Sequence, residues 1–395
     1  MFGLGSSAKK IEPVLIFHLG SGNVAATIVD IAPSAPVLLW SFRQEMPFHE
    51  RLQFDRFRKG MIATLNVVAQ TVQKEGLPKV GGHVPYQIIM VMASPWYVSQ
   101  TALLKYDHKT PVTVDMHFDD IKRFLHEKKE ALKNNTSGGT AVLVEQKIIQ
   151  TSLNGYPTAH PYGKRVRSME TAVFLAMLGA DVYRDVTDTI TRVFHRGPTT
   201  FHSFALASFT TMRNLFASEE NFLLMDVGSE VTDIGIVRDG VLLETISFPR
   251  GKNFIYRSVA ENLKTLPEET RSRIELYRSG SSNTVESGRI SAALTAAGKE
   301  WQEQFLRSLA GLAKTTALPH TVLMTADPDL GEWFRVVLLD SHGGEFTLTG
   351  GPLSVILITP EQLQGHISLA PGVAPDSFLS LEGVFAKILA SSSPL

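Results

Sequence analysis

The sequence predicts a mixed α/β protein in which two related domains face each other across a cleft. Two observations support this prediction. A meander of short strands with a Gly-containing polar turn occurs twice, at residues 14–42 and at residues 222–248. Strand and helix patterns alternate along the rest of the chain, which is typical of the α/β class. Each domain would then contribute one turn whose backbone N–H groups could hold a phosphate.

Composition narrows the class of protein. A chain of 395 residues can form two or more domains with cores of their own. Apolar residues make up 44% and charged residues 19%, as in soluble globular proteins. The 38 Lys and Arg residues balance 39 Asp and Glu residues, so there is no electrostatic signature of nucleic-acid binding. The absence of cysteine excludes disulfides, thiolate metal sites and a cysteine nucleophile.

The sequence also predicts where the protein resides. No stretch approaches the roughly 20 apolar residues needed to span a bilayer. Residues 1–10 lack the apolar segment of a secretory signal. We therefore expect a cytoplasmic protein, with any membrane association peripheral and at the inner face of the membrane.

The first predicted domain begins with a buried-type strand, followed by two further strands, a helix with apolar residues at helical spacing, and another buried strand. These elements are expected at residues 14–19, 24–29, 37–42, 54–74 and 87–93. A subdomain inserted at residues 96–180 should contain strands at 102–106, 141–152 and 166–178 and an amphipathic helix at 118–133. Helices at 183–194 and 201–216 connect it to the second domain.

The second predicted domain opens with strands at 222–225 and 234–237, and Asp239-Gly240 predicts a two-residue hairpin turn before a third strand. A helical region follows at 254–318, then a strand at 321–324. The final part should contain strands at 334–339 and 353–358 and a helix at 378–389. The resulting domain boundaries are 11–95, 96–180 (inserted), 181–221 (connecting helices), 222–335 (second domain) and 336–395 (returning to the first domain).

The segment after residue 225, DVGSEVTDI, is the most informative motif. A buried strand ends at Asp226, whose carboxylate could hold a metal ion through water. The turn at residues 228–232 could direct several backbone N–H groups into one concavity. An ordinary polar hairpin remains the alternative interpretation.

This motif resembles the second phosphate loop of the actin-like ATPase superfamily, D-[IV]-G-x-x-x-T-D-[IL]. Residues 19–24, LGSGNV, lie where the first phosphate loop belongs, and residues 247–255 are similar to the segment I-P-x-G-G-x-x-[IF]. Within the superfamily, residues 153–173 resemble the inserted subdomain of the cell-division protein FtsA, and the pilus protein PilM is the second candidate relative. The resemblance implies an actin-like fold, with ribonuclease H-like duplicated domains around a nucleotide cleft and an FtsA-type inserted subdomain.

The resemblance further implies ATP and Mg²⁺ as cofactors. Asp226 would be the metal-side acid, acting through water. Nucleotide contacts would come from Gly20, Ser21, Gly22, Asn23, Gly228, Ser229, Glu230, Gly251, Thr325 and Ala326.

Several positions depart from the family pattern. His18 replaces the Asp of the first loop, and His202 stands where FtsA-like chains have an acid. Ala326-Asp327 replaces the paired glycines of the adenosine motif, and Lys252 replaces the second Gly of the post-hairpin segment. Because phosphoryl transfer depends on metal and phosphate positioning, we expect slow or absent ATP hydrolysis.

Three functions remain open from the sequence. The first is an FtsA/PilM-type scaffold that binds ATP weakly or structurally and recruits division or pilus-assembly partners or forms filaments or dimers. The second is an active ATPase or sugar-kinase-like phosphotransferase. The third is a nucleotide-free adaptor.

The last predicted helix has an apolar stripe formed by Phe378, Leu381, Phe385 and Leu389. Few cations lie near this stripe, so we expect it to pack on the first domain rather than on lipid.

Overall fold

The computed structural model describes residues 11–49, 53–134, 141–314, 316–348 and 350–391. The strands are β1 (Pro13–Leu19), β2 (Asn23–Asp30), β3 (Val37–Glu45), β4 (Gln87–Met92), β5 (Tyr97–Thr113), β6 (Ala141–Leu153), β7 (Tyr156–Pro157), β8 (Arg165–Gly179), β9 (Thr200–Ser203), β10 (Phe222–Val227), β11 (Thr232–Arg238), β12 (Val241–Phe248), β13 (Thr321–Ala326), β14 (Ser354–Leu357) and β15 (Ser368–Leu369). The helices are α1 (Phe54–Thr71), α2 (Val114–Asn134), α3 (Ala180–Phe194), α4 (Phe204–Leu215), α5 (Lys252–Leu263), α6 (Pro267–Arg278), α7 (Thr284–Leu312), α8 (Gly331–Leu339) and α9 (Ser377–Ser391).

The two predicted repeats lie in two different sheets of matching topology. The first sheet has the order β15-β3-β2-β1-β4-β9, and the second has the order β12-β11-β10-β13-β14. In each sheet the first three strands of the repeat pair antiparallel, and the first of them pairs in parallel with a later strand. We refer below to the first sheet with its helices as the first half, and to the second sheet with its helices as the second half.

A third sheet, in the order β5-β8-β6-β7, is inserted between β4 and α3. Helix α2 packs on it around a small core that includes Phe118 and Met169. The inserted sheet also contacts the second half, because Thr101 Oγ1 donates to the Leu242 carbonyl oxygen over 2.6 Å.

The last helix, α9, packs on the first sheet, as its apolar stripe predicts. Phe378, Leu381 and Phe385 are buried. Gly383 permits close packing, since a Cβ at this position would lie 2.5 Å from Ile367 Cδ1.

The predicted Asp-Gly turn is also confirmed: Asp239 and Gly240 have φ values of 49° and 70°, as a type I′ turn requires.

Two sequence-based expectations are wrong. Residues 334–339 form part of helix α8 rather than a strand, because burial recurs at Phe334 and Leu338, four residues apart. The predicted helix at 201–216 begins only at Phe204. Its first residues form strand β9, which places His202 on a strand next to the N-cap Ser203.

Among the described residues, none of the helices combines the length and apolar character needed to cross a bilayer. The expectation for residues 1–10 lies outside the described part of the chain.

Candidate functional site

The two predicted phosphate turns meet at the interface between the halves. The Glu230 N–H donates to Ser21 Oγ over 2.9 Å. A Cβ added to Gly22 would lie 2.2 Å from Ser229 Oγ, so only glycine permits this approach. Each turn is also closed on itself: the Gly20 N–H donates to the Asn23 carbonyl oxygen and the Gly228 N–H to that of Val231. These N–H groups already have partners within the protein.

Little space remains between the turns. The cavity there measures about 10 Å³. One water molecule needs about 10–15 Å³ of this kind of volume, so a phosphate group does not fit. The predicted site residues that line it are His18, Gly20, Ser21, Asn23, Asp226, Gly228 and Ser229. Two buried atoms in this lining, Asn23 Oδ1 and Ser229 Oγ, have no hydrogen-bond partner within the described residues. The hydroxyl could donate to a phosphate oxygen, whereas the amide oxygen is itself an acceptor.

Asp226 ends β10 and is buried. Thr325 Oγ1 donates to its Oδ1 over 2.8 Å. Burial raises the pKa of Asp226 well above its ordinary value, and the nearby Asp233 carboxylate raises it further. Without a cation beside it, the charged form of this carboxyl group is therefore disfavoured.

His18, which replaces the family's aspartate in the first turn, contacts a carboxylate that is distant in the sequence. Its Nδ1 lies 2.6 Å from Glu382 Oε1, on helix α9, and both side chains are buried. Phe204 and Phe378 enclose the imidazole, with ring centroids at 5.6 and 5.3 Å. Burial raises the pKa of Glu382, while His18 opposes that shift.

Beside the turns, five charged side chains alternate in sign across the interface; we call them the charge chain. They are Asp376, Arg43, Asp327, Lys252 and Asp329. Arg43 NH2 lies 2.7 Å from Asp376 Oδ2, and Arg43 NH1 lies 3.3 Å from Asp327 Oδ1. Lys252 Nζ lies 2.6 Å from Asp327 Oδ2 and 3.1 Å from Asp329 Oδ2.

The charge chain favours the ionised forms of Arg43, Asp327 and Lys252 despite burial. Burial alone would raise the pKa of Asp327, but Lys252 and Arg43 bring it below its ordinary value. Burial would lower the pKa of Lys252, and Asp327 and Asp329 raise it instead. The pKa of Arg43 is raised by Asp376 and Asp327 against the effect of burial.

The remaining predicted contacts lie around these groups. The Glu230 carboxylate accepts hydrogen bonds from the side chains of Arg257 and Asn253 and thus has a structural role. Gly251 lies against the second turn, where a Cβ would come 2.2 Å from the Gly228 carbonyl oxygen. Ala326 lines a cavity of about 940 Å³ that opens beside the charge chain. Six carboxylates and three cations line this cavity, so its charge balance disfavours an anionic ligand.

This arrangement does not fit Mg²⁺-ATP. The space for the phosphates is closed, burial disfavours the charge of the metal-side carboxyl, and Asp327 already pairs with both Lys252 and Arg43. Within the described residues, no group of three or more His, Asp and Glu side chains is arranged to hold a metal ion.

The sequence singled out Lys252 and Asp327 separately, but it did not predict that they pair. It also did not point to Arg43, Asp376 or Glu382. For Glu382 a signal existed, because it is an isolated acid within an otherwise apolar helix.

His202 lies away from this interface, beside a groove. Its Nδ1 is 2.5 Å from Glu145 Oε1 on β6, and Glu145 Oε2 accepts hydrogen bonds from the Ser203 N–H and Oγ. The groove measures about 640 Å³ and runs between β6, β9 and the end of α9. Within the described residues, β9 pairs only with β4, and β6 is paired on its groove side only at Ser152 and Leu153. Two strand edges therefore border the groove.

No protein-family profile matches the sequence, and no curated protein does. Among solved structures, the PilM–PilN type IV pilus biogenesis complex matches with a TM-score of 0.63 and 15% identity, covering 98% of this chain and 100% of that chain. A Bacteroides thetaiotaomicron protein with an actin-like ATPase fold and unknown function also matches, with a TM-score of 0.44, 10% identity, and coverage of 97% of this chain and 99% of that chain. The protein thus shares the fold of the PilM structure, in agreement with the actin-like α/β fold that the phosphate-loop motif predicts. A specific relation to FtsA remains a prediction.

Proposed function

We propose that this protein is an adaptor of the PilM type, which binds an extended segment of a partner protein in the groove between β6 and β9. The observation that carries the proposal is the presence of two unpaired strand edges along one groove. Unpaired strand edges present N–H and C=O groups that an added strand can satisfy.

The groove lining suggests the chemistry of the segment. Apolar side chains form much of the wall, among them Val142, Val144, Tyr183, Phe385 and Leu389. The acidic Glu145 is already bound to His202 and Ser203. An extended segment with apolar side chains at alternate positions fits such a wall, because successive residues of a strand point to opposite sides.

The solved complex supports a protein partner. That complex contains PilM and PilN, and the match covers nearly all of both compared chains. By analogy, the partner of this protein would be a pilus-assembly component. Contact with the inner face of the membrane would then be made through that partner. Filament or dimer formation and cell-division partners remain predictions from the FtsA resemblance.

The closed phosphate site supports a role without ATP turnover. An active ATPase or sugar-kinase-like enzyme requires ordered phosphates and a metal ion between the two turns. We expect phosphate release at background level from the wild-type protein and from Asp226→Ala alike. Turnover by the wild type that Asp226→Ala abolishes would favour the enzyme instead.

The adaptor proposal is tested with peptides selected by display of random 12-residue segments on the full-length protein. Val144→Asp places a charge in the groove wall, and Val98→Asp, an exposed valine on the opposite edge strand of the same inserted sheet, is the matched control. Selected peptides should bind the wild type and Val98→Asp equally and Val144→Asp at least about tenfold more weakly. Bound peptide should also slow amide exchange in β9. Peptides that bind Val144→Asp as tightly as the wild type would contradict the proposal.

A further inference from the structure

The residues that depart from the family pattern are bound to one another. Lys252 replaces a glycine of the post-hairpin segment, and Asp327 stands at the second position of the missing glycine pair. Their side chains form a close ion pair, with Lys252 Nζ 2.6 Å from Asp327 Oδ2. The side chains are only 4% and 10% exposed. Two departures that look independent in the sequence are therefore one structural unit.

The same carboxylate also reaches the other half. Asp327 Oδ1 accepts from Arg43 NH1, and Arg43 extends from β3 of the first half. Asp327 thus binds one cation from each half of the molecule. In this position an anion neutralises the buried Lys252 and the part-buried Arg43 and joins the halves.

From this geometry we infer that the Asp327 carboxylate is an internal substitute for a nucleotide phosphate, which pairs with Lys252 and Arg43 and keeps the cleft closed without a ligand. This inference concerns a different site from the groove of the proposed function, so either can fail without the other.

Three further contacts cross the interface nearby and also hold the two halves together. The Glu230 N–H donates to Ser21 Oγ between the turns. Arg257, on α5 of the second half, donates to the His49 carbonyl oxygen over 3.2 Å and lies over the Phe48 ring at 5.5 Å. Arg257 is itself held by Glu230. Closure therefore rests on protein groups from both halves.

Competition explains why an external anion is excluded. A phosphate that approached Lys252 and Arg43 would have to displace Asp327, which would then be buried without a cation. Leaving a buried charge unpaired is strongly unfavourable. An intramolecular carboxylate is also present at a high effective concentration, so a free anion competes poorly with it.

The decisive variant is Asp327→Asn, which preserves shape and removes the charge. It should remove the one carboxylate that both cations share, leaving Lys252 with Asp329 and Arg43 with Asp376. The lost negative charge should create a binding site for inorganic pyrophosphate, measured by isothermal titration calorimetry. The wild type should show no saturable binding of pyrophosphate or of Mg²⁺-ATP. Asp329→Asn is the matched control, because Asp329 contacts Lys252 but makes no contact with Arg43 among the ion pairs of the described residues. It should behave as the wild type does.

Closure is measured separately by electron-paramagnetic-resonance distances between spin labels. Because the sequence contains no cysteine, Lys59→Cys on α1 and Glu275→Cys on α6, both exposed, can be labelled without background. The wild-type background should give one narrow distance that Mg²⁺-ATP does not alter. Arg43→Met, which leaves Asp327 in place, should broaden it, whereas Arg335→Met, from an exposed ion pair within α8, should not.

Three results would overturn the inference. The first is saturable binding of Mg²⁺-ATP to the wild type, and the second is a wild-type distance that changes with Mg²⁺-ATP. The third is a folded Asp327→Asn protein, checked by circular dichroism, that neither binds pyrophosphate nor changes its distance. If Asp327→Asn does not fold, Arg43→Met and the wild-type titrations decide the question.

Discussion

The first and second turns share a backbone but differ in chemistry. In each, the glycine of the turn donates its N–H to the residue three positions later, and the flanking strands pair in equivalent register. Two residues before that glycine stands His18 in the first half and Asp226 in the second. Opposite them across the strand pair lie Ala25 and Asp233.

The two positions satisfy their buried polar groups differently. His18 binds Glu382, which comes from a helix packed on the sheet, whereas Asp226 binds Thr325 on the neighbouring strand. The acid thus lies on helix α9 in the first half and on strand β10 in the second. The comparison shows that a duplicated backbone does not require duplicated chemistry, because each half can recruit its partners from a different packed element.

The largest expected effect comes from making the first turn resemble the second. His18→Asp places a carboxylate against buried Glu382, and we expect a loss of about 3–5 kcal/mol in the free energy of unfolding at pH 7. Two adjacent carboxylates raise the pKa of one of them. That proton stabilises the folded state at low pH, and its contribution is lost as pH rises through the raised pKa. Urea unfolding at pH 5 and pH 8 measures this, with exposed His366→Asp as the control. A loss that does not depend on pH would contradict the explanation.

A smaller effect is expected when the first turn keeps its geometry but loses its acid. Glu382→Gln retains an acceptor for His18 while removing the charge, so the loss should be about 1–2 kcal/mol, the difference between charged and neutral hydrogen bonds. Urea unfolding at pH 7 measures it, and Glu361→Gln, an exposed site, provides the baseline. A loss as large as that of His18→Asp would show that the carboxylate has a role beyond this hydrogen bond.

The corresponding change in the second turn should matter less. Asp226→Asn keeps Oδ1 as an acceptor for Thr325, and the raised pKa of Asp226 means that little charge is removed. We expect a change below about 1 kcal/mol in the free energy of unfolding at pH 7. A loss above that of Glu382→Gln would reverse the comparison, since it would show an ionised Asp226 with a cationic partner.

The last expected effect is a pH dependence, and it concerns Asp233, opposite Asp226. Burial raises the pKa of Asp233 to about 6, although the Ser247 and Ser94 hydroxyl groups oppose the shift. Protonation stabilises the folded state when the folded pKa exceeds the unfolded value of about 3.9. The contribution is present below about pH 4 and is lost as pH rises to about 6. The stability of Asp233→Asn relative to the wild type, measured by thermal unfolding, should therefore increase over that range. A flat difference would place the pKa of Asp233 near its ordinary value.

Much of the architecture could be predicted from short segments. The buried strands, the Asp239-Gly240 turn and the spacing of the two phosphate turns each depend on a few consecutive residues. Where such patterns are ambiguous, prediction failed. Residues 334–339 contain two valines, which favour a strand, but they belong to helix α8. The helix predicted from residue 201 begins at Phe204, and the residues before it form the short strand β9.

By itself, the sequence determined the α/β class and the positions of the two turns, because strand alternation and turn geometry are local properties. The actin-like fold was implied by the resemblance of residues 226–234 to a phosphate loop of that superfamily. It also marked His18, Lys252 and Asp327 as departures from the phosphate-loop pattern. Only the tertiary structure decided what those departures do. The partner of His18 lies 364 residues away, and Arg43 and Asp327 are separated by 284 residues. Such partners meet only when α9 packs on the first sheet and the two halves close, so no local pattern contains them.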